Sequence, residues 1–130
     1  MRPMAGWSGL AQRRSAVLLG GLLLAAGTIH FVCPQVFDDL VPEALPGAAR
    51  VWNLSAGAAE IGLGAGLLQP RTRRTSAGLA ALLLIVVFPG NVKMALDARG
   101  GSGVRQALAD VRLPLQVPLV IWALRVRRFA

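Results

Sequence analysis

Four polar residues interrupt stretches that are otherwise apolar: His30, Glu60, Asn91 and Gln116. Glu60 is the sharpest of them. An ionisable group in the middle of a membrane-length apolar run costs about 2.5–3.5 kcal/mol, so such a group is paired, protonated or functional. Two chemistries fit it. A neutral, hydrogen-bonded Glu60 pins neighbouring helices together, or an exchangeable Glu60 forms a proton or ligand site. Asn53 stands two helical turns ahead of Glu60 and shares its face, with Gly57 and Gly64 on the same stripe. The candidate ligand or proton site is therefore His30, Asn53, Glu60, Asn91 and Gln116. Singly, the histidine and the two other amides read as interhelical hydrogen bonders; together they would line one layer. Pro89 and Pro114 stand just ahead of Asn91 and Gln116, and each frees a backbone carbonyl one turn back. Two loosened segments at one depth would either open a small cavity or serve as kinks that let a bundle close.

Elements that could position these residues follow from composition. The chain has 130 residues, 55% of them hydrophobic and 15% charged, with a mean hydropathy of +0.57. A water-soluble domain of this size needs more polar surface. Helices are expected over about 15–33, 50–68, 76–94 and 111–125, near the length a bilayer requires. The last is the shortest in apolar residues and contains Pro114 and Pro118.

Charge then orients the chain. Arg2, Arg13 and Arg14, then Arg71, Arg73 and Arg74, then Arg125, Arg127 and Arg128 flank these stretches on one side, with no acid among them. On the other side Arg50, Lys93, Arg99, Arg105 and Arg112 are balanced by Asp38, Asp39, Glu43, Asp97 and Asp110. The positive-inside rule gives an all-α, four-helix transmembrane bundle, N-in/C-in, in a single integral membrane domain over residues 1–130. In that orientation His30, Asn91 and Gln116 fall toward the outer face, and Glu60 lies deeper.

The net charge of +8 belongs to these flanks and forms no nucleic-acid-binding stripe. One cysteine, Cys33, excludes an intrachain disulfide. Arg13-Arg14 ahead of an apolar run resembles a twin-arginine signal, but three further spans argue for a retained helix. The proline-containing loop from Pro34 to Gly47 reads as an ordered crossover. The glycine-containing loop from Asp97 to Asp110 reads as mobile, with a short interfacial helix after it. Ala58, Gly62 and Gly66 form a second row of small residues, suited to close helix contact. Trp7, Trp52 and Trp122 read as interfacial anchors.

Gly27-Thr28-Ile29-His30-Phe31, Pro34, Phe37, Val41-Pro42 and Leu45-Pro46 form one set of motifs. Ser55 to Glu60, Leu68-Gln69-Pro70-Arg71, Phe88-Pro89-Gly90-Asn91, Arg112 to Gln116 and Trp122 continue it. In order and spacing, from Gly20 to Trp122, these resemble the DoxX-like family of small membrane proteins. The resemblance implies a four-helix membrane bundle. The family's namesake is a subunit of a thiosulfate:quinone oxidoreductase, which implies a redox or assembly partner and makes a quinone the cofactor to consider.

The expectation is a multi-pass protein of the bacterial plasma (inner) membrane that acts as a non-catalytic subunit or scaffold of a membrane redox or assembly complex. A site for a small lipophilic ligand is the alternative, and a small transporter a second one, weakened by the lack of an internal repeat. No catalytic or metal-binding motif is present, so enzyme activity is not expected of the chain on its own. The partners expected are the lipid bilayer and a redox or assembly protein, with a second copy in a homo-oligomer as a further candidate and no nucleic acid.

Overall fold

A computed structural model describes residues 5–38, 41, 45–89, 92 and 103–130, with the side chains of 5–8, 36 and 103–113 outside that description. The helices with bounds among the described residues are α1 (Ala5–Val32), the short α2 (Pro34–Asp38), α3 (Ala49–Leu68), α4 (Arg73–Val86) and α5 (Gly103–Phe129). No strand occurs among the described residues. α1 packs chiefly on α3 and α4 chiefly on α5; α3 also meets α4, and α5 returns to α1. The result is a helical bundle with α2 laid across one end of α1 and α3.

Small residues set the α1–α3 spacing. A Cβ on Gly27 would lie 2.6 Å from the Gly57 carbonyl oxygen, and one on Gly64 would lie 2.7 Å from that of Gly20. Two glycine pairs thus bring the backbones together, and they lie on the same stripe of α3 that carries Asn53 and Glu60. The second small row behaves differently. Gly62 has open space around it, and only Gly66 meets a neighbour, at Ser76. The close contact therefore runs along the polar face of α3, because the buried amide and carboxyl need an adjoining helix to satisfy them.

The remaining core is small and apolar: Ala16, Leu19, Leu23, Leu67, Ala77, Ala80, Ala81, Ala123 and Val126. Trp122 donates its indole N–H to Ser15 Oγ at 2.7 Å, tying α5 to α1. The α3–α4 turn is closed by side chains. Arg73 Nε donates to the Leu67 carbonyl at 2.8 Å, and Thr72 Oγ1 donates to that of Gly66 at 2.8 Å. Carbonyls in the last turn of a helix lack intrahelical donors, and these side chains supply them.

Several helix limits differ from the sequence reading. α1 begins at Ala5, because nothing in Trp7 to Arg14 breaks a helix before the apolar run. α4 ends at Val86, close before Pro89, which cannot donate to the helical ladder. α5 is one helix from Gly103, where a separate interfacial helix was expected ahead of the last span. Pro114 and Pro118 lie one turn apart and are both exposed, so their lost donors fall on the outward face and spare the packed one. The expected crossover is ordered at α2 and at Leu45 to Gly47, where Gly47 takes a φ of 87° that favours glycine. Residues 97–102 of the second loop lie outside the described residues.

By length and composition one helix among the described residues, over Gly9–Val32, qualifies as a membrane span. α3 is diluted by Arg50, Asn53 and Glu60, and α4 has 14 residues.

Candidate functional site

The polar residues of α1 and α3 meet beneath α2. His30, Asn53 and Glu60 are 7%, 2% and 8% exposed. Helix direction explains the meeting. α1 and α3 cross at Gly27 and Gly57, and a Cβ on Gly57 would lie 2.6 Å from His30 Cβ. Glycine at that position is what lets the imidazole lie against α3, between Asn53 on one side and Glu60 on the other.

Asn53 organises the cluster. Its Nδ2 donates to the Pro34 carbonyl at 2.9 Å and to Asp38 Oδ1 at 2.8 Å. Both amide hydrogens are therefore committed to α2, and Oδ1 is left as an acceptor. It lies 2.5 Å from His30 Nδ1, so Nδ1 carries the hydrogen and donates. The opposite ring nitrogen, Nε2, is 3.5 Å from Glu60 Oε2. Two lone pairs would repel there, so a proton belongs between them. With that proton on either atom the pair is net neutral, which is the inexpensive state for a buried pair.

α2 covers the cluster. Phe37 stacks on the His30 ring with centroids 3.8 Å apart and planes 19° from parallel. Asp38 also accepts from Arg50 Nε, through Oδ2 at 2.9 Å. The Asn53 amide holds the Asp38 carboxyl below its ordinary value of 3.8; partial desolvation opposes this, and the Arg50 guanidinium lowers it further. A continuous polar chain thus runs from buried Glu60 through His30, Asn53 and Asp38 to Arg50, which is exposed.

Of the residues expected from sequence, His30, Asn53 and Glu60 are brought together. Gln116 is buried between α5 and α4, where its Nε2 donates to the Leu84 carbonyl in the last turn of α4. Asn91 lies outside the described residues. Asp38, Arg50 and Phe37 had no expected role in the site. Their signal was an acid and an aromatic early in the Pro34–Gly47 loop and a basic residue just after it, which counts as part of a site only once α2 folds back over α1 and α3. Cys33, at the break between α1 and α2, is exposed. Among the described residues no three His, Cys, Asp or Glu side chains group as metal ligands.

A family model described as Domain of unknown function (DUF8561) matches residues 19–127. The chain belongs to that family. The DUF8561 span takes in His30, Asp38, Asn53, Glu60 and Gln116, so the cluster and its cover lie within the family's domain. Nothing among the curated proteins or the solved structures matches the chain.

Proposed function

We propose that this protein is a four-span, N-in/C-in protein of the bacterial inner membrane, acting as a non-catalytic subunit or scaffold of a membrane redox or assembly complex. The observation that carries this reading is inverted polarity. The buried set includes His30, Asn53, Glu60, Ser76 and Gln116, whereas Leu18, Phe31, Val51, Leu82, Ile85, Val117 and Ile121 are exposed. In water each such exposed side chain forgoes about 1.5–3 kcal/mol of burial; in lipid it is solvated. Polar groups, by contrast, must find partners inside the bundle. α3, with 20 residues, is about 30 Å long, which matches a hydrocarbon core. Arginines at the turn between α3 and α4 and at both outer ends of the chain favour the cytoplasmic side.

Two observations favour a scaffold. Asn53 spends its amide hydrogens on binding α2, so much of the polar cluster holds the fold together. Gly21 and Gly62 have open space where a Cβ would stand, so the outer faces of α1 and α3 let a partner helix approach closely. The DoxX-like resemblance supplies the redox or assembly character of that partner. Gentle extraction followed by native mass spectrometry tests the reading. A stoichiometric partner protein is the expected result. A lone chain in every preparation would overturn it.

The His30–Glu60 pair favours a second reading, a site for a small lipophilic ligand. The quinone suggested by the resemblance needs donors to its carbonyl oxygens. Asn53 has none to spare, so His30 and Glu60 are the residues that would hold one carbonyl, with their shared proton. Glu60→Gln should then abolish retention of the ligand while the protein still inserts and folds. Unchanged retention would end this reading.

A further inference from the structure

At the end of the bundle opposite α2 lies a cavity of about 430 Å³, between the N-terminal part of α1, the α3–α4 turn and the C-terminal part of α5. Its lining includes Gln12, Arg13, Ser15, Arg73, Arg125 and Phe129. Three arginines thus contribute to the lining of one cavity, most of which is apolar, and among the described residues no aspartate or glutamate side chain lines it. In sequence, no acid occurs from Met1 to Phe37, from Ile61 to Leu96 or from Val111 to Ala130. The segments that build this end therefore supply no carboxylate side chain to offset the arginines. Arg73 is partly engaged with the α3 carbonyls of Leu67 and Leu68, which fixes its position. Gln12 and Ser15 add neutral hydrogen-bonding groups, and Val126 and Phe129 make the wall apolar. Guanidinium forks match phosphate oxygens, and an apolar wall beside them suits the carbon chain of an amphiphile.

We infer that this cavity binds a phosphate group, with the phosphodiester head of an anionic phospholipid of the cytoplasmic leaflet as its source. The phosphate oxygens accept from Arg13 and Arg125, Arg73 closes the third side, and the acyl chains leave along α5. A cavity of this size holds a headgroup, and the cytoplasmic leaflet concentrates anionic lipid at this depth. The choice of a lipid source rests on the membrane reading above; the phosphate chemistry rests on the cavity alone.

The test uses the full chain in phosphatidylcholine nanodiscs, with phosphatidylglycerol added as a minor component, read by native mass spectrometry and thermal unfolding. Wild type should retain phosphatidylglycerol and unfold at a higher temperature with it present. Arg13→Gln with Arg125→Gln should weaken retention at least tenfold and cancel the shift. Arg14→Gln with Arg74→Gln removes the same charge from residues that do not line the cavity and should leave both intact. A parallel arm adds inorganic phosphate without anionic lipid. Stabilisation there that is lost in the cavity variant, with no lipid retention, keeps the phosphate site and assigns it a soluble ligand. Equal behaviour of the two double variants would overturn the site. Carbonate washing of cell membranes reports separately on the membrane reading, since a chain released by it would fail that reading while leaving the phosphate arm to stand or fall alone.

Discussion

Asn53 shows how much one side chain decides here. It fixes the tautomer of His30 through Oδ1 and fastens α2 through both hydrogens of Nδ2. Asn53→Ala strands a buried imidazole N–H, at about 1–3 kcal/mol, and removes both side-chain hydrogen bonds that fasten α2. We expect a total loss of several kcal/mol by thermal unfolding in detergent, against a much smaller loss for Glu60→Gln, whose amide still hydrogen-bonds at nearly constant volume. Asp38 gives the cover an acid limit. Its carboxyl titrates below the ordinary value of 3.8 in the folded state. The stabilisation is therefore complete above that value and lost as pH falls through the lower folded one. Tryptophan fluorescence of Trp52, whose indole donates to the Pro46 carbonyl beside this cover, should stay constant from about pH 5 to 8 and change in stronger acid. Asp38→Asn should remove that acid step. The shared face of Asn53 and Glu60 was legible from helical spacing. The part played by Asp38 and Arg50 was not, because both read as balanced charges of an outer loop, and their contact needs a chain reversal that no periodicity records.

At the scale of elements, the α1–α3 contact depends on glycine at two crossings. Gly27→Ala drives a Cβ to 2.6 Å from a backbone oxygen of α3 that has no freedom to swing aside. The helices must separate, at an expected cost of about 1–3 kcal/mol. Gly21→Ala, only two turns away but in open space, should be neutral or stabilise by up to about 1 kcal/mol through helix propensity. Paired unfolding curves of the two variants check this contrast; equal effects would mean that α1 and α3 do not cross as described. The stripe of Asn53, Gly57, Glu60 and Gly64 marked the inward face in the sequence. Which small row makes the close contact was not decided by spacing, since Ala58, Gly62 and Gly66 offer the same pattern. The choice follows from the buried polar groups, which a neighbouring helix satisfies. The length of α5 was also hidden, because Asp97 to Asp110 with its glycines read as a loop and a separate interfacial helix, whereas one helix runs from Gly103 through both prolines.

For the whole molecule, charge and apolar patterning marked out an all-helical bundle, but among the described residues only one helix stands out as a span by composition. The reason is physical: α3 spends positions on Arg50, Asn53 and Glu60, and a helix that carries charged and buried polar residues is diluted in hydropathy. Inverted polarity appears only after folding assigns an inside and an outside. The most direct measurement of the central claim is thiol labelling in spheroplasts with a membrane-impermeant maleimide, on carbonate-washed membranes from the same cells. Native Cys33, exposed beyond α1, should label in intact spheroplasts. Arg71→Cys in a Cys33→Ser background should label only after lysis, and both proteins should stay with the washed membrane. Release of the chain by carbonate, or equal labelling of both sites in intact spheroplasts, would contradict a bundle that crosses the membrane with its arginines inside.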